Sequence, residues 1–284
     1  MLRSLFSGIS GLRVNQLALD VTGNNIANAN TVGFKGSKTV FQDTLSQMLT
    51  GSTAPNDARG GRNAMQIGLG VQLAATALNF GQGAPQYTGS PTDLMISGDG
   101  FFVVEASGEQ LYTRAGAFTF DNDGLLVTPS GARVQGYKLD ANGDPTGGMA
   151  DLSLADANAV PAVPAGVELR SYNISSDGKI NASYSDGIQR QLGQVALADF
   201  TNPMGLERVG ETSFRAGANS GAPDLGVSGE GRRGTFTVGS VEMSNVDLAA
   251  EFTNLILAQR GFQASSRVIT TSDQVLEDLV NIKR

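Results

Sequence analysis

The sequence predicts an α+β fold in which long N- and C-terminal helices flank a mainly antiparallel β domain. Near both ends of the 284-residue chain, apolar residues recur every seven positions, as in helices that pack against other helices. Between the ends, short runs of strand-forming residues are separated by turns, and this middle part contains all 9 prolines and 33 of the 37 glycines. Such turns favour hairpins, so we expect neighbouring strands to pair antiparallel.

The first helix is predicted within residues 1–30. A row of apolar residues spaced by sevens runs along it, while the adjoining row is interrupted by Gln16 and Gly23. The apolar row consists of Leu5, Leu12, Leu19 and Ile26.

The second helix is predicted from about Val246 to Ile282, with Ser244–Asp247 as its N-cap and acidic first turn. Gly261 is its only glycine, and no proline interrupts it. Its apolar row, also spaced by sevens, consists of Leu248, Leu255, Phe262, Ile269 and Leu276.

Both apolar rows are predicted to form a self-assembly interface. The common alternative for such a row is a core within one chain. Polar residues in the adjoining rows favour packing between helices of an assembly, because buried polar groups need partners and can fix the register. Two such helices would be marginally stable on their own, so we expect them to become ordered on assembly.

The predicted domain organisation follows these patterns. Residues 1–30 and 245–284 are predicted to form one helical assembly domain. Residues 31–70 are predicted as a linker and flexible stretch, because turn-forming residues are frequent in its second half. Residues 71–244 are predicted as a β-rich outer domain with a short variable insertion at about 141–165, a segment rich in Ala, Gly, Pro and Asp.

Strands are predicted where short runs of strand-forming residues are bounded by turn residues. These runs cover 93–96, 100–104, 117–120, 125–128, 167–174, 179–184, 190–199 and 235–241. Tight hairpin turns are predicted at Asp123-Gly124, Asn142-Gly143, Asp177-Gly178 and Asp186-Gly187.

Composition narrows the classes of function. The chain contains no Cys and no His, which removes thiolate and imidazole nucleophiles, the usual general base at neutral pH, and zinc sites built from these ligands. Lys and Arg number 20 against 27 Asp and Glu, for a net charge of -7 without a basic run, which disfavours nucleic-acid binding. No apolar stretch approaches the length of a membrane span, so we expect no membrane insertion.

Two acidic segments resemble parts of a calcium loop, but each is predicted to be a hairpin turn. Asp121–Gly124 and Asp140–Asp144 both lack the full ligand spacing and the glutamate at the twelfth position. Gly98-Asp99-Gly100 precedes strand formers and not a helix, so it is not a dinucleotide loop. No pair of carboxylates is singled out for glycoside hydrolysis. We therefore predict no catalytic residues, no cofactor and no metal site.

Longer motifs stand at opposite ends of the chain. The first includes Gly-Asn-Asn-Ile-Ala-Asn-Ala-Asn-Thr-Val-Gly-Phe-Lys, ending at Lys35, and the second includes Met-Ser-Asn-Val-Asp-Leu and Gln-Arg-Gly-Phe-Gln-Ala, between 243 and 264. Together with Gly98–Phe102, Tyr112–Phe118 and Gly193–Phe200, they resemble the bacterial flagellar rod and hook proteins over most of the chain. The motif residues are Asn24, Asn25, Asn28, Gly33, Phe34, Ser244, Asn245, Gln259 and Arg260.

This resemblance implies a structural role outside the cytoplasm. Members of the family are exported by the flagellar type III apparatus without a cleaved signal and polymerise into a helical tube. Their terminal helices form an inner layer around the export channel, and the β domain forms the outer layer. The implied partners are copies of the same chain, other axial proteins (rod, hook cap and hook–filament junction) and the export apparatus.

Two members of the family remain as alternatives. The first residues and the length of 284 are similar to short hook proteins, which predicts a curved, flexible tube that transmits torque from rod to filament. The stretch after Phe41-Gln42-Asp43 is long, as in the distal rod protein, where such a segment is associated with a straight, stiff tube. We expect a hook subunit, with the distal rod as the alternative. Outside the family, the alternative is a cell-surface binding module.

Overall fold

The chain forms two units, each of which brings together distant parts of the sequence. The computed structural model describes residues 2–55, 59–140, 144–154, 161 and 168–282. The first unit, here called the helical unit, comprises Met1–Ala27, Ser37–Leu78 and Val246–Arg284. The second, here called the β unit, comprises Asn28–Gly36 and Asn79–Asn245.

The helical unit contains both predicted helices, which the structure confirms. They are α1 (Leu2–Ala27) and α2 (Leu248–Ile282). Asp247 is the N-cap of α2, since its Oδ1 accepts hydrogen bonds from the backbone amides of Ala249 (2.9 Å) and Ala250 (3.3 Å). The acidic cap expected between 244 and 247 is therefore present.

The helical unit also contains four strands where the sequence analysis expected mostly a linker. They form two antiparallel pairs, β1 (Ser37–Asp43) with β4 (Val71–Leu78) and β2 (Ser46–Thr50) with β3 (Met65–Gly68). Within the expected linker, 31–70, the runs Thr39-Val40-Phe41 and Met48-Leu49 have strand-forming residues, but the turn residues after them dominated the sequence pattern. β4 lies in the stretch predicted as the β domain, but it belongs to the helical unit because its strand partner is β1.

The β unit is built from short strands, and all of their pairings are antiparallel. The strands are β5 (Pro85–Tyr87), β6 (Leu94–Ser97), β7 (Phe101–Ala106), β8 (Glu109–Thr113), β9 (Thr119–Phe120), β10 (Leu126–Val127), β11 (Arg133–Leu139), β12 (Pro145–Asp151), β13 (Leu169–Ile174), β14 (Lys179–Tyr184), β15 (Gln189–Val195), β16 (Leu197–Asp199), β17 (Glu207–Gly210), β18 (Ser213–Arg215), β19 (Asp224–Gly226), β20 (Thr235–Val238) and β21 (Ser240–Glu242).

One sheet of 13 strands dominates the β unit. Its main path runs β13-β14-β15-β11-β7-β8-β18-β17, while β20 pairs with β6 and β21 with β5 as separate two-stranded sheets. Fully buried side chains of the main sheet and of β6 form the core, among them Ile96, Phe102, Val134 and Val195. Phe102 meets Phe118 edge to face, with ring centroids 5.0 Å apart. The alternating apolar residues therefore bury one continuous core within this unit.

Three of the four expected hairpin turns lie where they were predicted. Asp123-Gly124, Asp177-Gly178 and Asp186-Gly187 lie between consecutive antiparallel strands. Asn142-Gly143 lies outside the described residues. The Asp121 carboxylate accepts hydrogen bonds from the amides of Asp123 (3.0 Å) and Leu125 (2.8 Å), so it stabilises a turn.

The expected insertion at 141–165 is only partly described, and its described part is not a loop. β12 lies within it and pairs antiparallel with β11, from Gln135 opposite Asp151 to Leu139 opposite Pro145. The local sequence does not predict this strand, because Gly and Pro are poor strand formers on their own. Tertiary pairing with β11 supplies the hydrogen bonds that the local sequence does not predict.

In the helical unit, α1 and α2 run antiparallel and meet along a row of small residues, here called the seam. A Cβ atom added to Gly8 would lie 3.0 Å from Ile269 Cγ1, and one added to Gly11 would lie 2.8 Å from Ser265 Oγ. A Cβ atom on Gly261 would lie 2.5 Å from Asn15 Oδ1. These distances leave no room for larger side chains, so the two backbones approach closely.

Asn25 fixes one end of the helix pair. Its side chain is only 2% exposed, and its Nδ2 donates to the carbonyl oxygen of Ser37 (2.7 Å) and to Glu251 Oε1 (3.1 Å). Its Oδ1 accepts from the amide of Ser37 (3.0 Å). One buried amide thus joins the last turns of α1, the first residue of β1 and the first turn of α2.

The seam can be tested with paired cysteines, because the chain has none of its own. Ser4 Oγ and Ser272 Oγ are 3.2 Å apart across the seam, so Ser4→Cys/Ser272→Cys needs only a small shift to reach an S–S length of about 2.05 Å. We expect ready oxidation in the full chain, and the equilibrium in a redox buffer measures the effective concentration of the two thiols. The control pair, Ser4→Cys/Thr271→Cys, should oxidise poorly because the side chain of Thr271 is directed along its own helix, where Oγ1 donates to the carbonyls of Arg267 (2.8 Å) and Val268 (3.1 Å).

In the Ser4→Cys/Ser272→Cys chain, Gly261→Ala should lower the effective concentration of the two thiols about three- to tenfold. The added Cβ atom would displace Asn15, whose side chain would then lose its 2.8 Å hydrogen bond to the carbonyl of Gly11. Gly23→Ala is the matched control, since its Cβ would meet nothing within 4 Å and alanine favours helix by about 1 kcal/mol. Equal behaviour of the two alanine variants would contradict the seam.

Candidate self-assembly surface

Of the heptad residues predicted as an interface, Ile269 lies at the seam against Gly8. The burial of these heptad residues was predicted from spacing alone, and the structure leaves most of them half-buried. Leu248 and Phe262 are more open, with exposed fractions of 43% and 38%. The half-buried members are Leu5, Leu12, Leu19, Ile26, Leu255, Ile269 and Leu276. Each row therefore still presents apolar surface that the single chain does not cover.

The residues that form the seam were not predicted. On α1 they alternate in steps of four and three and are small or polar: Ser4, Gly8, Gly11 and Asn15. The rows predicted from the sequence were those of large apolar side chains spaced by sevens, which heptad spacing selects. The signal that could have found the seam was the repeat of small residues on both helices, with Gly261 and Ser265 on α2.

The outer face of α2 carries large apolar side chains in contact with solvent. Among the residues of α2, which the structure describes in full, Ala258 alone is buried. Phe252 and Ile256, one turn apart, are 52% and 56% exposed, and Leu257 is 64% exposed. Near the end of the helix, Val280 is 67% exposed. Contiguous apolar surface of this kind marks a site of protein contact.

The β2–β3 hairpin presents a second apolar surface in the same unit. Leu45, just before β2, is 83% exposed, and Met48, Leu49 and Met65 are between 48% and 58% exposed. Every residue of β3 is exposed. A two-stranded hairpin without a covered face is marginally stable alone, so this surface is suited to contact with another molecule.

The motif residues fall into two groups. Asn24, Gln259 and Arg260 have exposed side chains, with Arg260 Nη1 donating to Gln263 Oε1 at 3.3 Å. Asn25 is buried at the end of the seam. In the β unit, Asn28 Oδ1 accepts from Thr31 Oγ1 (3.1 Å), Gly33 and Phe34 are buried, and Ser244 and Asn245 are half-buried. The first group is exposed to solvent, whereas the second group is buried or half-buried within the chain.

Two further observations concern other kinds of site. Within the described residues, no group of three or more Asp and Glu side chains is arranged to hold a metal ion. None of the helices that the structure describes is long and apolar enough to span a membrane.

Three family models match successive parts of the chain. The model of the flagella basal body rod protein matches residues 5–35, that of the flagellar hook protein FlgE/F/G D1 domain matches residues 95–182, and that of the flagellar basal body rod FlgEFG protein C-terminal matches residues 237–282. The two terminal matches contain the motifs at both ends, and the central match lies in the β unit.

Whole-chain relatives carry rod or hook names. The flagellar basal-body rod protein FlgG of Bacillus subtilis is 42% identical over 285 residues, with 100% of both chains covered. FlgG of Caulobacter vibrioides is 35% identical, with 97% of each chain covered. The flagellar hook protein FlgE of Borreliella burgdorferi is 31% identical over 441 aligned residues, with 100% of both chains covered. The chain therefore belongs to the family of flagellar rod and hook proteins, structural and non-enzymatic components of the basal body and hook outside the cytoplasm.

Proposed function

We propose that this protein is a distal-rod subunit that polymerises into a straight tube and transmits torque. The observation that carries the proposal is the β2–β3 hairpin, which is an ordered, apolar element in the stretch that follows β1. The relatives of rod type support it, because FlgG of Bacillus subtilis matches at the length of this chain. The hook expected from the first residues becomes the second candidate.

A specific observation keeps the hook as that second candidate. FlgE of Borreliella burgdorferi is similar over the whole of this chain. Its alignment extends over 441 residues against the 284 of this chain, so at least part of that hook protein has no counterpart here. A hook without this part would lack outer surface for contacts between neighbouring subunits.

The tube would be held together through the exposed apolar faces of the helical unit. Phe252 and Ile256 are about half exposed, so their burial against a second copy would contribute about 1.5–3 kcal/mol per subunit, roughly half of the 1.5–3 kcal/mol that each side chain gains on full burial. The heptad residues beside the seam would add to the same interface. The other partners that we propose are the adjoining axial proteins, namely rod, hook cap and hook–filament junction, and the export apparatus that delivers the chain.

Assembly should therefore depend on the outer face of α2. We expect Ile256→Asp to raise the concentration needed for assembly at least about a hundredfold, because an unpaired carboxylate would be buried between copies. Sedimentation of assembled protein measures this, and circular dichroism checks that the β unit still folds. Asn254→Asp, at an exposed position of α2 about 160° around the helix from Ile256, adds the same charge and is the matched control. Assembly of Ile256→Asp at the control's concentration would contradict the interface.

The location of the protein separates the two candidates. Isolated flagella are labelled with gold-conjugated antibodies against residues 144–154 and viewed by electron microscopy. The distal-rod proposal predicts label confined to the straight segment beneath the hook. Label along the curved segment would instead establish the hook.

The hairpin should determine the stiffness of the tube. The amide of Leu69 donates to the carbonyl of Leu45 at 3.2 Å, so deletion of residues 46–68 joins two ends that already lie side by side. We expect this deletion to give curved or flexible tubes in electron micrographs while β1 and β4 remain paired. Met48→Gln/Met65→Gln keeps the hairpin but weakens its apolar face and should give an intermediate curvature. Straight tubes from the deletion would refute the assignment of stiffness to the hairpin.

A further inference from the structure

A buried ion pair joins three segments of the β unit that are far apart in the sequence. Lys35 and Glu242 have completely buried side chains, with Lys35 Nζ 2.7 Å from Glu242 Oε1. The same Oε1 accepts from the amide of Gly83 (2.7 Å), and Nζ also donates to the carbonyl of Gly81 (2.9 Å). One charge pair thus holds the segments 33–36, 79–84 and 242–245 together, here called the clamp.

Backbone and amide hydrogen bonds reinforce the clamp. The amide of Gly33 donates to the carbonyl of Glu242 (2.8 Å), and the amide of Asn79 donates to the carbonyl of Gly36 (2.8 Å). Asn245 Oδ1 accepts from the amide of Gly36 (2.9 Å), and its Nδ2 donates to the carbonyl of Asn79 (2.8 Å). Every pair of the three segments is therefore linked directly.

The packing around the clamp allows little movement. Gly33 has φ +69°, and a Cβ atom there would lie 2.4 Å from the amide nitrogen of Ala115. A Cβ atom on Gly83 would lie 1.9 Å from the carbonyl oxygen of Met243. Larger residues cannot occupy these positions without displacing the backbone, which explains why both are glycines.

The charges of the clamp are held away from water. Burial lowers the pKa of Lys35, and the negative charge of Glu242 opposes this effect. A second buried cation, Arg114, has its Nη1 3.6 Å from Glu242 Oε2 and its guanidinium carbon 5.2 Å from the ring centroid of Phe101. Removal of Glu242 would leave two buried cations without an anion, and removal of Lys35 would leave Glu242 with Arg114 alone and without its shortest contact, so the cluster resists rupture.

We propose that the clamp is a mechanical device that secures three of the four points where the chain enters or leaves the β unit. These points are Gly36, Asn79 and Asn245, which the clamp links to one another, and the fourth is Asn28. A pull applied through these exits meets the ion pair and its hydrogen bonds before it reaches the strands of the core. This inference is independent of whether the tube is a rod or a hook, because any subunit of a rotating tube carries load.

Single-molecule pulling on the full chain tests the proposal. Ala27→Cys/Leu248→Cys places unique attachment points at exposed positions just outside the β unit, before Asn28 and after Asn245. At fixed force, Lys35→Met should shorten the lifetime of the folded β unit on the order of a hundredfold. Glu242→Gln, which leaves the buried Lys35 and Arg114 without an anion, should shorten it at least as much. The matched control is Arg133→Met, which breaks the exposed 3.0 Å pair with Asp151 in the same unit and should leave the lifetime unchanged.

A second pair of attachment points distinguishes a clamp from general stabilisation. Gln110→Cys/Ile188→Cys places the load at exposed positions of the β unit outside the clamp segments. With these attachment points, Lys35→Met should leave the lifetime of the folded β unit unchanged, as Arg133→Met does. The proposal would be overturned if Lys35→Met shortened the lifetime equally with both pairs of attachment points, or with neither. Failure of both clamp variants to form the β unit would also overturn it. Failure of the distal-rod assignment would leave this result unaffected, because the pulling experiment needs no assembly.

Discussion

The close contact of α1 and α2 through small residues is the constraint on which the helical unit depends. Because the side chains of Ile269, Ser265 and Asn15 are seated directly against Gly8, Gly11 and Gly261, the two helices bury little apolar side-chain surface in their own contact. The leucine rows remain half-buried at the sides, and residues such as Ile256 face solvent. The apolar surface left over has to be covered by other molecules, which is the physical basis for a unit that completes its packing in a polymer.

The β unit differs from the helical unit in that it covers its own apolar side chains. It buries a continuous core of aromatic and aliphatic side chains, with Phe102 and Val195 fully inaccessible, and so needs no partner to cover them. Its few buried charges are paired or stacked on rings, as Arg190 is on Tyr184 with 5.0 Å to the ring centroid. A chain with one complete core and one incomplete surface can fold before assembly and still carry the interfaces that assembly needs.

The sequence could predict those features that depend on local pattern. Heptad spacing predicted both helices, and Asp-Gly pairs predicted three hairpin turns that the structure contains. The four strands of the helical unit were missed because their hydrogen-bond partners are distant in sequence, with Ser37 opposite Leu78. The seam was missed because heptad reasoning weights large apolar residues, and a seam of glycines carries no such signal. Lys35 and Glu242 were missed as a pair, because a charged side chain in a sequence normally indicates exposure.

The clamp also explains why an ion pair occupies a site that aliphatic residues could fill. Two apolar side chains would pack there in many registers, but Lys35 and Glu242 meet one specific carbonyl and one specific amide, those of Gly81 and Gly83. The charges therefore determine which segments come together, although removing them from water costs desolvation free energy. In the β unit, the strands provide stability through burial, whereas the clamp provides position. A tube that transmits torque needs both, because its subunits must keep their shape while the chain that joins their parts is under load.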